Sequence, residues 1–170
     1  MIEFRENEKV LAIKRRHPVV LIISLIPVAI FFLIVVASMI LVYFIDIEEV
    51  PIDNVKLIIL YILSLFLLIL WQIAVVIFIN YYLDCWIITN KRTISTELKT
   101  LFSRNVSSIS HDKIQDITVE VNGFLQTFLK YGNLQIQTAG KFHKFIFKEI
   151  PEPYKTKELI FKIQKEYDKK

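Results

Sequence analysis

The chain has 170 residues, 54% of them hydrophobic, a mean hydropathy of +0.48 and a formal net charge of +4. Its 3 glycines leave no glycine-rich phosphate loop, and its single cysteine excludes an intramolecular disulfide framework and zinc sites built on cysteine pairs. Charge is unevenly spread: residues 1–18 carry five basic against three acidic side chains, residues 46–56 one against four, and residues 84–170 fifteen against ten.

In the tail, residues 1–18, Val10, Leu11, Ala12 and Ile13 precede the basic triplet Lys14, Arg15 and Arg16. Two readings stay open: a strand or amphipathic segment docked on a cytoplasmic domain, or a simple topology anchor. His17-Pro18 marks the start of the first apolar helix, because proline suits a first turn whose N–H groups lack partners. Residues 19–45 and 57–83 contain no Asp, Glu, Lys or Arg. Each run exceeds the roughly 20 residues that cross a bilayer, and helices of soluble domains leave one face to water. Two transmembrane helices are therefore predicted. The first run is far longer than a signal h-region of about 7–15 residues, and Ala37-Ser38 lies too deep in it for cleavage. Pro27 removes one backbone hydrogen bond from the first helix. Tyr43 and Phe44 at the outer end, and Tyr81, Tyr82 and Trp86 at the inner end, suit the membrane interface. The short connector, residues 46–56, makes the helices antiparallel neighbours in a hairpin. Lys14, Arg15 and Arg16 beside the first helix place both termini in the cytoplasm of a multi-pass inner- or plasma-membrane protein, with the acidic connector outside. Neither run holds an ionisable side chain that would mark a transport path; Gln72 is read as a helix–helix hydrogen-bond donor.

From Asp84 the pattern changes to short β-type runs broken by turn residues. Strands are predicted at 85–89, 93–98, 105–109, 117–121, 134–138 and 143–147. Ile94, Thr96 and Leu98 share one face of the second, and Val106 and Ile109 are the apolar points of the third. Turns are predicted at 90–92, 99–103, Tyr131-Gly132-Asn133 and Ala139-Gly140-Lys141, with a short helical or irregular link at 111–116. Residues 123–129 have the spacing of one or two helical turns. After Pro151 and Pro153 the period is helical, with Leu159, Ile160, Ile163 and Tyr167 in one stripe. Residues 84–170 thus read as several antiparallel strands closed by one carboxy-terminal helix.

Three stretches carry a family resemblance: Trp86-x-Ile-Thr-Asn90-x-Arg92, Asp112-Lys-Ile-Gln-Asp-Ile117, and Tyr131-Gly-Asn-Leu-x-Ile136 with Thr138-Ala-Gly140. With Glu8-Lys-Val-Leu11 and Arg16-His-Pro18 in the tail, their order and spacing resemble the bacterial membrane-flanked PH-domain family (YdbS-like proteins). The resemblance covers nearly the whole chain. It implies a PH-like domain of mainly-β, α+β class, a bent seven-stranded antiparallel sheet capped by a helix, joined to the membrane hairpin. Thr100 departs from the family's frequent glycine in the strand 2–3 turn, which bears on that turn's geometry alone.

Catalytic constellations do not stand out. His17, His111 and His143 are scattered, and Ser107, Ser108 and Ser110 lack a nucleophile elbow. Cys85, beside Trp86 at the bilayer exit, reads as a structural thiol. The chain is read as non-enzymatic, with no cofactor and no metal. Binding is the better prospect. Lys91, Arg92, Lys99 and Arg104 fall near two predicted turns, and Lys141 and Lys144 near a third. They could meet anionic headgroups, each contributing roughly 1 kcal/mol near such a surface; an ordinary solvated, positive-inside domain is the simpler reading. Phe124, Leu125, Phe128 and Leu129 are most simply core, but exposed they would form an apolar patch for a partner or the membrane surface. Nucleic acid is not expected, since aromatic and basic residues do not interleave. The expected role is a non-catalytic interaction or scaffold module, an accessory subunit working with another membrane protein or by self-association. The alternatives are an anionic-lipid-binding module and an oligomeric small transport or channel subunit.

Overall fold

The computed structural model describes residues 6–44, 53–100, 103–138 and 144–167. The chain forms two compact units, residues 19–79 and residues 1–18 with 80–170. The first is built on helices α1 (Pro18–Phe44) and α2 (Asp53–Leu83). Both are long and apolar enough to cross a membrane; the 27 residues of α1 would extend about 40 Å at the helical rise. Ser38 and Ser64 return their hydroxyls to the carbonyls of Val35 and Tyr61 at 2.7 Å, which satisfies them inside an apolar helix. Lys56 Nζ donates to the Tyr43 carbonyl at 2.8 Å and lies 5.5 Å from the Tyr43 ring centroid, tying the start of α2 to the end of α1. Asp53 and Lys56, predicted in the connector, thus belong to α2.

Among its described residues the second unit has seven strands: β1 (Val10–Arg15), β2 (Cys85–Thr89), β3 (Arg92–Thr100), β4 (Ser103–Ser110), β5 (Ile114–Glu120), β6 (Tyr131–Thr138) and β7 (Lys144–Pro151). A single 3-10 turn, His111–Lys113, links β4 to β5; α3 (Phe124–Phe128) precedes β6 and α4 (Pro153–Tyr167) follows β7. The sheets run β1-β2-β3-β4 and β5-β6-β7, every pairing antiparallel. Of the two readings of the tail, the strand is the one adopted: Ala12 faces Ile88 and Arg15 faces Cys85. The whole apolar hairpin therefore lies in the connection between two neighbouring strands of one sheet.

The core is formed by Trp86 and Ile88 of β2, Ile109 of β4, Ile114 and Ile117 of β5, Leu134 and Ile136 of β6, Phe147 and Ile150 of β7, and Ile160 and Ile163 of α4. Trp86 stacks on Phe147 with ring centroids 5.3 Å apart, so one ring pair joins the two sheets. Gln164 Nε2 donates to the Ile114 carbonyl at 3.0 Å and pins α4 to β5.

Some sequence expectations change. Tyr131-Gly132-Asn133, expected as a turn, opens β6, and Lys130 takes the left-handed turn position with φ 54°. A Cβ on Gly132 would lie 2.7 Å from the Glu120 carbonyl oxygen, so the glycine serves a close approach of β6 to β5. Val106 and Ile109 are three residues apart and so point to opposite faces; Ile109 is buried and Val106 exposed. Lys99 and Thr100 extend β3, while Ser103 begins β4. The turn expected at Ala139-Gly140-Lys141, and His143, lie outside the described residues.

Gly132→Ala is expected to destabilise the domain by about 2 kcal/mol through overpacking against backbone. Phe147→Ala should cost about 4 kcal/mol by opening the inter-sheet ring contact. Denaturant unfolding of the full-length protein in detergent, followed by Trp fluorescence, measures both; a Gly132→Ala protein as stable as the parent would contradict the close approach.

Candidate functional site

The β2–β3 turn, which carries Lys91 and Arg92, is closed by the tail. Glu8, whose side chain is fully buried, accepts from Arg92 Nε at 2.9 Å and Nη2 at 3.1 Å and from the Thr89 hydroxyl at 2.8 Å. Lys9 N donates to Asn90 Oδ1 at 2.8 Å, Asn90 Nδ2 donates to the Asn7 carbonyl at 3.1 Å, and Lys91 Nζ donates to the Glu6 carbonyl at 2.6 Å. Beneath them, the fully buried His111 donates from Nε2 to the Thr89 carbonyl at 2.9 Å. Burial lowers the pKa of His111 below its ordinary 6.5, opposed by that hydrogen bond and by the charge of Asp112. The guanidinium of Arg92 is thus committed to a fork-like pair within the domain.

Lys99 and Arg104 lie at the far end of β3 and β4, since Leu98 pairs with Arg104 whereas Arg92 pairs with Ser110. At the strand rise, Arg92 and Lys99 are about 23 Å apart, so the four cations do not form one cluster. Lys144 begins β7 opposite Gln137. The side chains of Lys99, Arg104 and Lys144, and the whole of Lys141, lie outside the described residues. Gln72 is exposed on α2.

A different constellation forms where the chain leaves and re-enters the domain. Arg16 Nη2 donates to Asp84 Oδ2 at 2.6 Å, clasping the residue near the start of α1 to the one after α2. Next to it, His17 N donates to the Glu149 carbonyl at 2.8 Å and the His17 ring stacks on Tyr131 at 5.0 Å. Tyr131 follows Lys130, the turn residue after α3. The Lys130 carbonyl accepts from Glu152 N at 2.8 Å, which brings the start of α4 to the same corner.

Helix α3 has two unlike sides. Phe124, Leu125 and Phe128 are 81%, 53% and 73% exposed, with the two phenylalanine rings stacked at 6.0 Å. This differs from the expectation that they are core: a five-residue helix has one short face, and strand residues already fill the interior. Leu129 is half-buried. The polar side, Gln126 and Thr127, borders a groove of about 510 Å³ also lined by Val121, Lys130, Tyr154 and Lys155. Glu152 at its rim pairs with Lys155 at 2.5 Å; this partner, then Lys14 and Lys130, holds its carboxyl below the ordinary carboxylate value. Lys14, Lys130, Tyr154 and Lys155 were not legible as a group, being scattered over the tail, a turn and a helix start. The i, i+1, i+4 spacing of Phe124, Leu125 and Phe128 around two polar residues was the available signal.

Glu8→Ala leaves Arg92 buried without its carboxylate and should lower stability by about 3 kcal/mol; unaltered denaturant midpoints would show the pair to be idle. His111 sets a pH dependence. Its folded pKa is lowered, so the stability it contributes is complete above the unfolded value of 6.5 and is lost as pH falls through the folded value. The lowered carboxylates Asp112 and Glu152 act nearer their ordinary 3.8 and 4.5. Thermal midpoints measured from about pH 7.5 to 5.5 should therefore fall for the parent protein and stay nearly flat for His111→Gln.

Among solved structures, a crystal structure of a protein with a pleckstrin-homology domain from Shewanella loihica PV-4 is similar over 48% of this chain and 70% of that one, at 16% identity and TM-score 0.40. A pleckstrin homology domain from Shewanella amazonensis SB2B is similar over 45% of this chain and 63% of that one, at 20% identity and TM-score 0.37. No curated protein matches the chain. The family described as Bacterial PH domain matches residues 18–164, a stretch that takes in both apolar helices and β2 through β7. By that match, over most of its length, the chain belongs to the bacterial PH-domain family.

Proposed function

We propose that this protein is a non-catalytic interaction module held at the cytoplasmic face of a membrane, acting as a scaffold or accessory subunit for another membrane protein. One observation carries the reading: the PH-type domain is closed across the apolar hairpin, with β1 before it and β2 after it. Only Arg16 and His17 lie between β1 and α1, only Asp84 between α2 and β2, and Arg16 clasps Asp84. Links this short confine the domain to the membrane surface and suit a module that recognises something also confined there. Lys14, Arg15 and Arg16 beside α1 favour the cytoplasmic side. The groove between α3 and the start of α4 is the surface assigned to the partner, for it joins apolar walls to Lys130, Lys155 and the 62%-exposed Tyr154.

The test is affinity purification of tagged full-length protein from native membranes in mild detergent. A second protein is expected in stoichiometric amount, and Tyr154→Ala combined with Lys155→Glu should deplete it about tenfold, the loss of one good anchor. Recovery of the chain alone would overturn the accessory role. A carboxy-terminal fusion to a fluorescent protein that matures only in the cytoplasm should be bright; a dark, full-length fusion would reverse the orientation.

A further inference from the structure

The exposed face of α3 is left over by this reading. Phe124, Leu125 and Phe128 point away from the groove residues Gln126 and Thr127, and are bare to 81%, 53% and 73%. Two stacked phenylalanines and a leucine on five residues form an exposed apolar knob, and such patches mark contact sites. Three observations identify what it touches. The corner bearing α3 adjoins the chain's exit from the domain: Tyr131, just beyond α3, stacks on His17, the residue before Pro18, where α1 begins. The re-entry point is there too, because Arg16 holds Asp84. Cations stand at the same exit: Lys14 and Arg15 end β1 directly before Arg16 and His17, where the chain leaves the domain. Apolar rings and basic side chains at the point where a chain leaves for a bilayer match the chemistry of an anionic membrane surface.

We propose that α3 is a third membrane contact, with Phe124, Leu125 and Phe128 seated at the headgroup–acyl boundary and Lys14 and Arg15, at the chain's exit, facing anionic phosphates. The contact orients the domain on its short links and leaves the groove on the other side of α3 open to a partner. It rests on the reading of α1 and α2 as membrane spans.

The experiment uses full-length protein in nanodiscs of mixed phosphatidylglycerol and phosphatidylcholine. In a Cys85→Ser background, a nitroxide is placed in turn at Leu125→Cys, at Glu158→Cys on the exposed side of α4, and at Phe32→Cys within α1. Oxygen against water-soluble nickel accessibility gives the depth of each label. The label at 125 is expected about 5–10 Å below the phosphates, that at 158 in water, and that at 32 deepest of all. A label at 125 as wet as that at 158, with the one at 32 deep in the bilayer, overturns the α3 contact and leaves the spans standing. A label at 32 exposed to water overturns both together. Replacing phosphatidylglycerol by phosphatidylcholine should move the label at 125 outward, and an unchanged depth would overturn the role given to Lys14 and Arg15.

Discussion

The ladder between Val10–Arg15 and Cys85–Thr89 joins two stretches of chain that the entire apolar hairpin separates. The backbone groups of β1 that face β2 are paired across this ladder, which is what holds an otherwise largely exposed strand to the sheet. Closing so long a connection carries an entropic cost that grows with the logarithm of its length. An antiparallel helical hairpin reduces that cost, because it returns the chain to the side from which it started. Assembly of the hairpin and completion of the sheet are in this way coupled. The pairing also places Lys14 opposite Trp86, the residue whose ring joins the two sheets through Phe147.

Two ion pairs refine this closure. Glu8 with Arg92 fixes the amino-terminal end of the tail on the β2–β3 turn, and Arg16 with Asp84 fixes its other end where the chain crosses to and from the helices. Their worth is less in net energy than in register, since desolvation offsets much of the attraction between buried charges. A tail strand slipped by one residue would exchange its inner and outer faces and would separate both pairs at once. In the basic turn that the sequence offered as one possible headgroup contact, Arg92 is a fastening to Glu8.

The corner at Tyr131 shows how close packing in one place frees side chains in another. Gly132 lets β6 approach the Glu120 carbonyl, which draws the chain between β5 and β6 into the tight excursion of α3. The interior is formed by strand residues such as Ile117, Leu134, Ile136 and Phe147, while Phe124 and Phe128 stand outward. Their exposure is a consequence of topology, and it supplies an apolar surface beside the chain crossings.

What the sequence alone determined is what depends on neighbours along the chain. Charge-free runs of bilayer length specify α1 and α2, because every local backbone group is satisfied within a helix and every side chain is apolar. Alternation marked most of the strands, and the helical stripe with Ile160 and Ile163 marked α4, because both periods are local. Motif order was legible as well, and it pointed to the PH-like family. Only the tertiary structure decided that the tail supplies the first strand, that Glu8 holds Arg92, that Tyr131–Asn133 is strand rather than turn, and that Phe124 and Phe128 face outward. In each of these cases the deciding partner lies far away in sequence or is the volume already filled by other strands, and no local pattern records either.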